Sequence, residues 1–342
     1  MRCTIVPPHM LEQVVRDADD PALRDIARHT LALSSALRTE RRTLPVEAPS
    51  PTEDFVPNRT VADAQQLEVL PGETVRAEGA PATGDKIVDR AYEWLGVTFD
   101  FFEAAYRRNS IDAGGLPMIS TVHYGRDYDN AFWNGSQMVY GDGDGVLFTA
   151  FTGPLDVTGH ELVHGITQYT ANLEYYGQAG ALNESVSDVF GSLVKQWHLG
   201  HTADQADWLI GQGLLAEGVN GKALRSMKEP GTAYDDPRLG KDPQPGHMDD
   251  YVDTHRDNGG VHINSGIPNR AFYLASVAIG GNAWEKAGRV WYDTLTGGNI
   301  KVDENFAGFA AATIATATEL YGADGAETSA IQEAWSGVGV QA

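Results

Sequence analysis

Residues 158–170 read TGHELVHGITQYT, and the fold and chemistry of the chain turn on how this stretch is read. Its two histidines, His160 and His164, stand four apart, so on a helix they share one face and present both imidazoles to a single point. Glu161 projects about 100° further round, near a bound ion without having to ligate it. A Lewis acid beside a carboxylate base is what metal-assisted hydrolysis of a carbonyl requires. In a chain with ten histidines, a match to His-Glu-x-x-His arises by composition alone on the order of a per cent or two of the time. A third ligand is therefore the next thing to seek.

Downstream, the segment GALNESVSD places Glu184 and Asp188 four apart within an apolar-periodic stretch. Glu184 is suited to complete a His₂Glu site that leaves one position open, and Asp188 to accept a hydrogen bond from the second nitrogen of a ligating imidazole. The plainer reading is a solvated acidic helix face. Further on, DNGGVHINSG carries Asp257 and His262 in what reads as a Gly-rich loop. On residue type alone His262 is as easily structural as catalytic. Within a hydrolytic site, Asp257 would fix the tautomer of His262, which would then steady a developing oxyanion.

The chain around these motifs is long enough for two lobes and a cleft, at 342 residues. With 42% hydrophobic and 21% charged residues its composition is that of a folded globular protein rather than a disordered one. The formal net charge of −22 disfavours nucleic acid and anionic membrane surfaces as partners. The first 44 residues balance seven Arg against six Asp or Glu, so the acidic excess belongs to the remainder. Cys3 is the only cysteine, which rules out an intrachain disulfide. The opening 30 residues are interrupted by Pro7, Pro8 and repeated charges and carry no apolar core of a Sec-type signal. The most apolar later stretch, FAGFAAATIATATELYG, is too short for a bilayer and reads as a buried helix.

Helical spacing of Leu11, Val14, Val15 and Ala18, and of Leu23, Ile26, Ala27 and Leu31 after Asp20-Pro21, predicts two short amphipathic helices. LPVEAPSPTEDFVPNRT then reads as an exposed Pro-rich linker. LEVLPGETVRAEG alternates like a strand, a helix is expected over about 85–108, and MISTVHYG and SQMVYGDGDGVLF read as Gly-punctuated strands. The second half is expected to be mainly helical, with long loops between about 229 and 260.

With NAFWNG, HELVH, NESVSD, LRSM and DNGGVHINSG in that order, the sequence resembles the thermolysin-like neutral metallopeptidases over essentially all of 67–342. The resemblance implies an α+β fold of two lobes, a β-rich N-terminal lobe and a mainly α-helical C-terminal lobe with the active-site helix between them. It implies one zinc held by His160, His164 and Glu184, with a zinc-held water as nucleophile and Glu161 as its base. Tyr175, eleven residues past His164 in TANLEYYG, and His262 take the part of oxyanion stabilisers. Asn183 joins Asp188 and Asp257 behind these groups. Asn130 and the backbone of Ala131 align the peptide as an added strand, and Arg225 holds a substrate carbonyl. Phe148, Val157, Ile210 and Leu224 match the apolar pocket, implying cleavage on the amino side of bulky hydrophobic residues, though any one of them is equally at home in ordinary core.

Where many relatives bind two calcium ions through clustered carboxylates, this chain has Lys195, Leu209 and Gln212, with Asp156 surviving alone, so the double site is expected to be absent. The short N-terminal segment with PPHML at 7–11 resembles the precursor of protealysin-type members. The implied organisation is a propeptide and linker over 1–50, a β-rich catalytic lobe over 51–170 and a helical lobe over 171–342. The propeptide would act as an intramolecular inhibitor, removed by a cut between 43 and 57, with bonds before Leu44 or Phe55 suiting the apolar pocket. Cys3 has two readings, a thiolate that ligates zinc in the latent form or an incidental residue near a terminus, and the second is favoured. The family suggests secretion and protein or peptide substrates. Two other classes compete. YGDGDGVLF as the calcium loop of a structural β-protein lacks the repeats such modules need, and a noncatalytic descendant would not be expected to retain Glu161, Tyr175 and His262.

Overall fold

The computed structural model describes residues 3–40 and 55–342, with side chains placed at 4–35 and from 55 onward. The expected cut before Leu44 and the Cys3 thiol lie outside the described residues.

Six strands form one sheet: β1 (Cys3–Thr4), β2 (Arg59–Asp63), β3 (Glu73–Ala77), β4 (Met118–Val122), β5 (Ala131–Trp133) and β6 (Met138–Tyr140). The spatial order is β1-β5-β6-β4-β2-β3. β4 is parallel to both β2 and β6, and every other pair is antiparallel. The sequence alternation over 67–79 yields a strand only at Glu73–Ala77, because the residues before it turn. β2 was hidden at the end of the Pro-rich stretch, where Arg59 follows the last proline.

The N-terminal segment forms the two expected helices, α1 (Pro8–Asp17) and α2 (Pro21–Glu40). Each opens on proline, whose missing N–H is no loss in a first helical turn. α1 buries Met10, Leu11 and Val14, one apolar stripe, in the same core as the catalytic lobes. The helix expected over 85–108 is α3 (Lys86–Tyr106); the Asp85 side chain accepts from the amides of Ile87 and Val88, and Arg107 ends the helix at φ 55°.

α4 (Leu155–Gln168) is buried on every side from Leu155 to Thr167, so it reads as the floor of the molecule rather than a surface helix. It packs on α5 (Gly177–Leu199) through Gly159 and Gly191. A Cβ on Gly191 would stand 2.7 Å from the Asp156 carbonyl oxygen, and one on Gly159 3.0 Å from Gly191 Cα. Only glycine allows this approach, and it brings the carboxylates of α5 over the imidazoles of α4.

The rest of the C-terminal lobe contains the short pair β7 (Leu209–Ile210) and β8 (Arg225–Ser226), then α6 (Asp257–Asn264), α7 (Gly266–Ile279), α8 (Ala287–Thr296), α9 (Phe306–Tyr321) and α10 (Ala326–Gly337). The FAGF stretch is α9, and it buries one stripe through Phe306, Phe309, Ala310, Thr313 and Ala317 rather than its whole surface. Among the described residues no helix is long and apolar enough to cross a membrane. The two-lobed α+β architecture expected from the sequence is the one observed.

Candidate active site

His160 and His164 project from the same face of α4, and their Nε2 atoms stand 3.0 Å apart. His160 Nδ1 lies 2.8 Å from Asp188 Oδ1, and His164 Nδ1 lies 2.8 Å from Asn183 Oδ1. Asn183 donates its Nδ2 to the Leu173 carbonyl, which fixes the amide so that Oδ1 faces the imidazole. His160 Nδ1 faces a carboxylate, which only accepts; His164 Nδ1 faces the Asn183 oxygen, with the Ser187 hydroxyl also at 3.1 Å, and a proton on each Nδ1 satisfies both sets. Both Nε2 atoms then present lone pairs to one another. Two acceptors at 3.0 Å repel unless a cation lies between them.

Glu184 closes the set from α5, with Oε2 3.5 Å from His160 Nε2 and Oε1 3.6 Å from His164 Nε2. Ligand atoms of the three buried residues all fall within 4.8 Å of one another. Two imidazole nitrogens and a carboxylate oxygen at these separations match the donor set and spacing of a tetrahedral zinc with ligand bonds of about 2.0–2.2 Å. The residues fit one zinc, and among the described residues no other such cluster occurs.

Glu161 is fully buried beside them. Its Oε2 accepts the Trp133 amide at 2.9 Å, while Oε1 has no protein hydrogen-bond partner. Burial pushes its carboxyl well above the ordinary carboxylate range, the Trp133 amide only partly offsetting this. Asp188 shows the opposite outcome. Burial opposes its charge, but the Arg225 guanidinium and His160 hold the carboxyl well below its usual range.

On the other wall, Tyr175 donates its hydroxyl to Glu184 Oε1 and lies 3.2 Å from His262 Nε2. His262 Nδ1 lies 2.6 Å from Asp257 Oδ1, and Asp257 Oδ2 also takes the His262 amide at 2.8 Å. The segment expected to be a Gly-rich loop is the short helix α6; Asn258, Gly259 and Gly260 have φ of 51°, 83° and 76°, and regular helix starts only after them. A Cβ on Gly259 would meet Gly177 N at 2.9 Å, so the sharp bend that aims Asp257 at His262 needs glycine.

Arg225 is 1% exposed and spends Nε and Nη2 on the two oxygens of Asp188, each at 2.8 Å. Its Nη1 donates to the carbonyl of Ile5 at 3.0 Å. The N-terminal segment thus lies in the cleft. Ile5 N donates to Ala131 O at 3.1 Å, Val6 N to Asn130 Oδ1 at 3.0 Å, and Asn130 Nδ2 to Val6 O at 3.4 Å. The Thr4 carbonyl oxygen lies 3.1 Å from His262 Nε2. His262 thus faces an acceptor at each ring nitrogen. Although burial works against it, Asp257 and Glu184 raise its pKa, in keeping with a doubly protonated ring.

Phe148, Val157, Ile210 and Leu224 are all buried in one core with Ile5. Ile210 pairs directly opposite Arg225, and Leu224 N donates to Ile210 O at 2.9 Å. Sequence reasoning missed three contributors. Asn269 donates to Asp188 Oδ2 at 2.8 Å, the Trp133 amide holds Glu161, and His9 Nε2 meets the Tyr234 hydroxyl at 3.0 Å. Only position after folding reveals them.

A mixed sheet, a helical lobe and a buried His-His-Glu triad with a carboxylate beside it define a zinc metallopeptidase. Family models described as "Thermolysin metallopeptidase, catalytic domain" and "Thermolysin metallopeptidase, alpha-helical domain" match residues 60–168 and 171–340. The chain belongs to the thermolysin family of metallopeptidases. It is 54% identical to an extracellular metalloprotease of Pectobacterium carotovorum over 99% of this chain and 96% of that one. Thermolysin of Alicyclobacillus acidocaldarius is 40% identical over 81% of this chain and 50% of its own length. The solved precursor of protealysin from Serratia proteamaculans superposes with a TM-score of 0.90 at 54% identity, covering 99% of each chain. The chain is accordingly a zinc-dependent endopeptidase acting on peptide substrates.

Proposed function

We propose that the chain is a latent endopeptidase whose N-terminal segment, 1–50 with its linker, inhibits the catalytic lobes at 51–170 and 171–342 until removed. The observation that carries this reading is the path of residues 3–6 through the cleft, with the Thr4 carbonyl at His262 and the Ile5 carbonyl at Arg225. A substrate would need the same main-chain partners, so segment and substrate exclude one another. The near-complete overlap with a solved protealysin precursor, against half-length overlap with thermolysin, supports a short precursor of this kind.

In the proposed reaction, Asn130, Ala131 and Arg225 hold an extended peptide along β5, and the apolar side chains of Phe148, Val157, Ile210 and Leu224 favour a bulky hydrophobic residue after the cut. Zinc, held by His160, His164 and Glu184, supplies Lewis acidity to water and to the carbonyl. Glu161, raised by burial, takes the proton of the attacking water and passes it to the leaving amine; a nearby cation would draw its pKa back toward the range where such exchange is fast. His262 and Tyr175 donate to the carbonyl oxygen as it gains charge. Asp257, Asp188 and Asn183 orient the groups in front of them.

Calcium is proposed to be dispensable at the α4–α5 junction. Lys195 Nζ lies 3.1 Å from Asp156 Oδ2 and 2.7 Å from Asp207 Oδ2, so an ammonium group stands among the carboxylates. Secretion is proposed from the naming of relatives as extracellular.

Metal analysis with peptide-cleavage mapping of wild type and Glu161→Ala tests the reading. One equivalent of zinc in both, with cleavage before large apolar residues lost only in the variant, is expected. An equally active variant, or cleavage indifferent to the following residue, would overturn the assigned base or pocket.

A further inference from the structure

The backbone partners of residues 4–6 set the segment's register and not only its presence. In an antiparallel strand along β5, Ile5 is the residue whose N–H meets the Ala131 carbonyl and whose C=O meets Arg225. Val6 is clasped at N–H and C=O by the Asn130 side chain. Thr4 is the residue whose carbonyl oxygen lies at His262 Nε2, on the wall that also carries Tyr175 and Glu184. Ile5 is fully buried, with its side chain in the core that holds Phe148, Val157, Ile210 and Leu224. The peptide bond between Thr4 and Ile5 therefore lies where the proposed machinery acts. The carbonyl oxygen lies 3.1 Å from His262 Nε2, and a large apolar residue follows.

We infer that Thr4–Ile5 is a self-cleavage site, and that the precursor is held by a segment bound as a slow substrate rather than out of register. This rests on the reading of Glu161, His262 and Tyr175 given above. Water adds to the Thr4 carbonyl carbon, the C–N bond breaks with its electron pair passing to the Ile5 nitrogen, and Glu161 relays the water's proton to that nitrogen. The products are an N-terminal peptide ending in the Thr4 carboxylate and a chain beginning with the Ile5 amine. The two sides of the cut are held unequally. Cys3 and Thr4 pair with β5, whereas Ile5 and Val6 hold Arg225, Ala131 and Asn130 and remain joined to α1, with Met10, Leu11 and Val14 in the core. The short piece leaves and the long piece stays, so this cut alone does not open the cleft.

The test is intact-mass and N-terminal analysis of the full zinc-loaded chain over time, for wild type and for Glu161→Gln, together with Glu161→Gln mixed with matured wild type. Loss of residues 1–4 is expected in wild type, complete before activity toward an added peptide rises, and absent from Glu161→Gln alone. In the mixture the linker of the inactive chain is cut while its Thr4–Ile5 bond, seated in its own inactive cleft, stays intact. Active wild type that keeps residues 1–4 attached, or an inactive chain that loses them in the mixture, would overturn the inference and leave the peptidase reading standing. A zinc-loaded wild type that cleaves neither itself nor any added peptide would overturn both.

Discussion

Asp188 accepts four hydrogen bonds, from His160 Nδ1, Arg225 Nε and Nη2, and Asn269 Nδ2, each at 2.8 Å. It ties a zinc-facing imidazole to the arginine that grips Ile5. Asp188→Asn keeps the shape, but its amide has one accepting oxygen where the carboxylate has two and puts an NH₂ among donors. Zinc affinity is expected to fall about 10- to 100-fold, the range for loss of a ligand's orienting partner, as read by competition with a chelator. His9 gives a second residue-scale prediction. It is partly buried against Tyr234 with Nδ1 buried and lacking a partner, and desolvation, with His262 and Arg225 nearby, lowers its pKa to about 4 despite the pull of Asp257. The freed segment returns it to about 6.5, so its contribution to docking is full above that pH and is lost as pH falls toward 4. Proteolytic accessibility of the α1 segment should rise between pH 6.5 and 4 in wild type, and much less in His9→Gln; equal profiles would refute the assignment. Asp188 was legible from its four-residue spacing to Glu184. Asn269 and the His9–Tyr234 contact were not, because partners 81 and 225 residues distant leave no local pattern.

At the scale of elements, the helices were legible wherever a stripe of apolar residues repeats, as in α1, α2 and α3, and α4 and α5 could be placed by the His160–His164 and Glu184–Asp188 intervals. Several strands were not. β1, β5, β7 and β8 are two or three residues long and have no period to read, and β2 begins within the end of a Pro-rich stretch that looks like linker throughout. α6 was taken for a loop because glycines with positive φ obscure where its helical turn begins. The α4–α5 junction supports a prediction of its own. Asp156 is fully buried near the start of α4, and burial raises its pKa; Lys195 of α5, although partly buried, is held charged by Asp156 and Asp207. Lys195→Ala leaves that carboxylate without its cation, a loss of about 3 kcal/mol for a broken buried pair, seen as a lowered Tm at neutral pH. Added calcium at matched zinc is expected to leave the wild-type Tm unchanged. A large specific calcium shift would return the junction to the role of a metal site.

For the molecule as a whole, the lobes, the zinc ligands and an N-terminal segment that blocks the cleft were legible through the motifs and the family they resemble, while the register of that segment against β5 emerged only from β1. Physically, the motifs are local chemistry, whereas the register is set by contacts such as Ile5 with Arg225, 220 residues away. Amide exchange in β5 measures the same relation. Full-length Glu161→Ala should protect the β5 backbone, and the same chain after its linker is cut and the segment separated should not; similar exchange in the two would remove β1 from the cleft in solution. The sheet order places β5 between β1 and β6, so loss of β1 leaves a bare strand edge with one row of main-chain donors and acceptors exposed. Such an edge pairs with any extended chain, a neighbouring copy included. On the proposed removal of the segment, β1 would act as an edge cover as well as an inhibitor, and the chain without it would be expected to self-associate at lower concentration than the chain that keeps it.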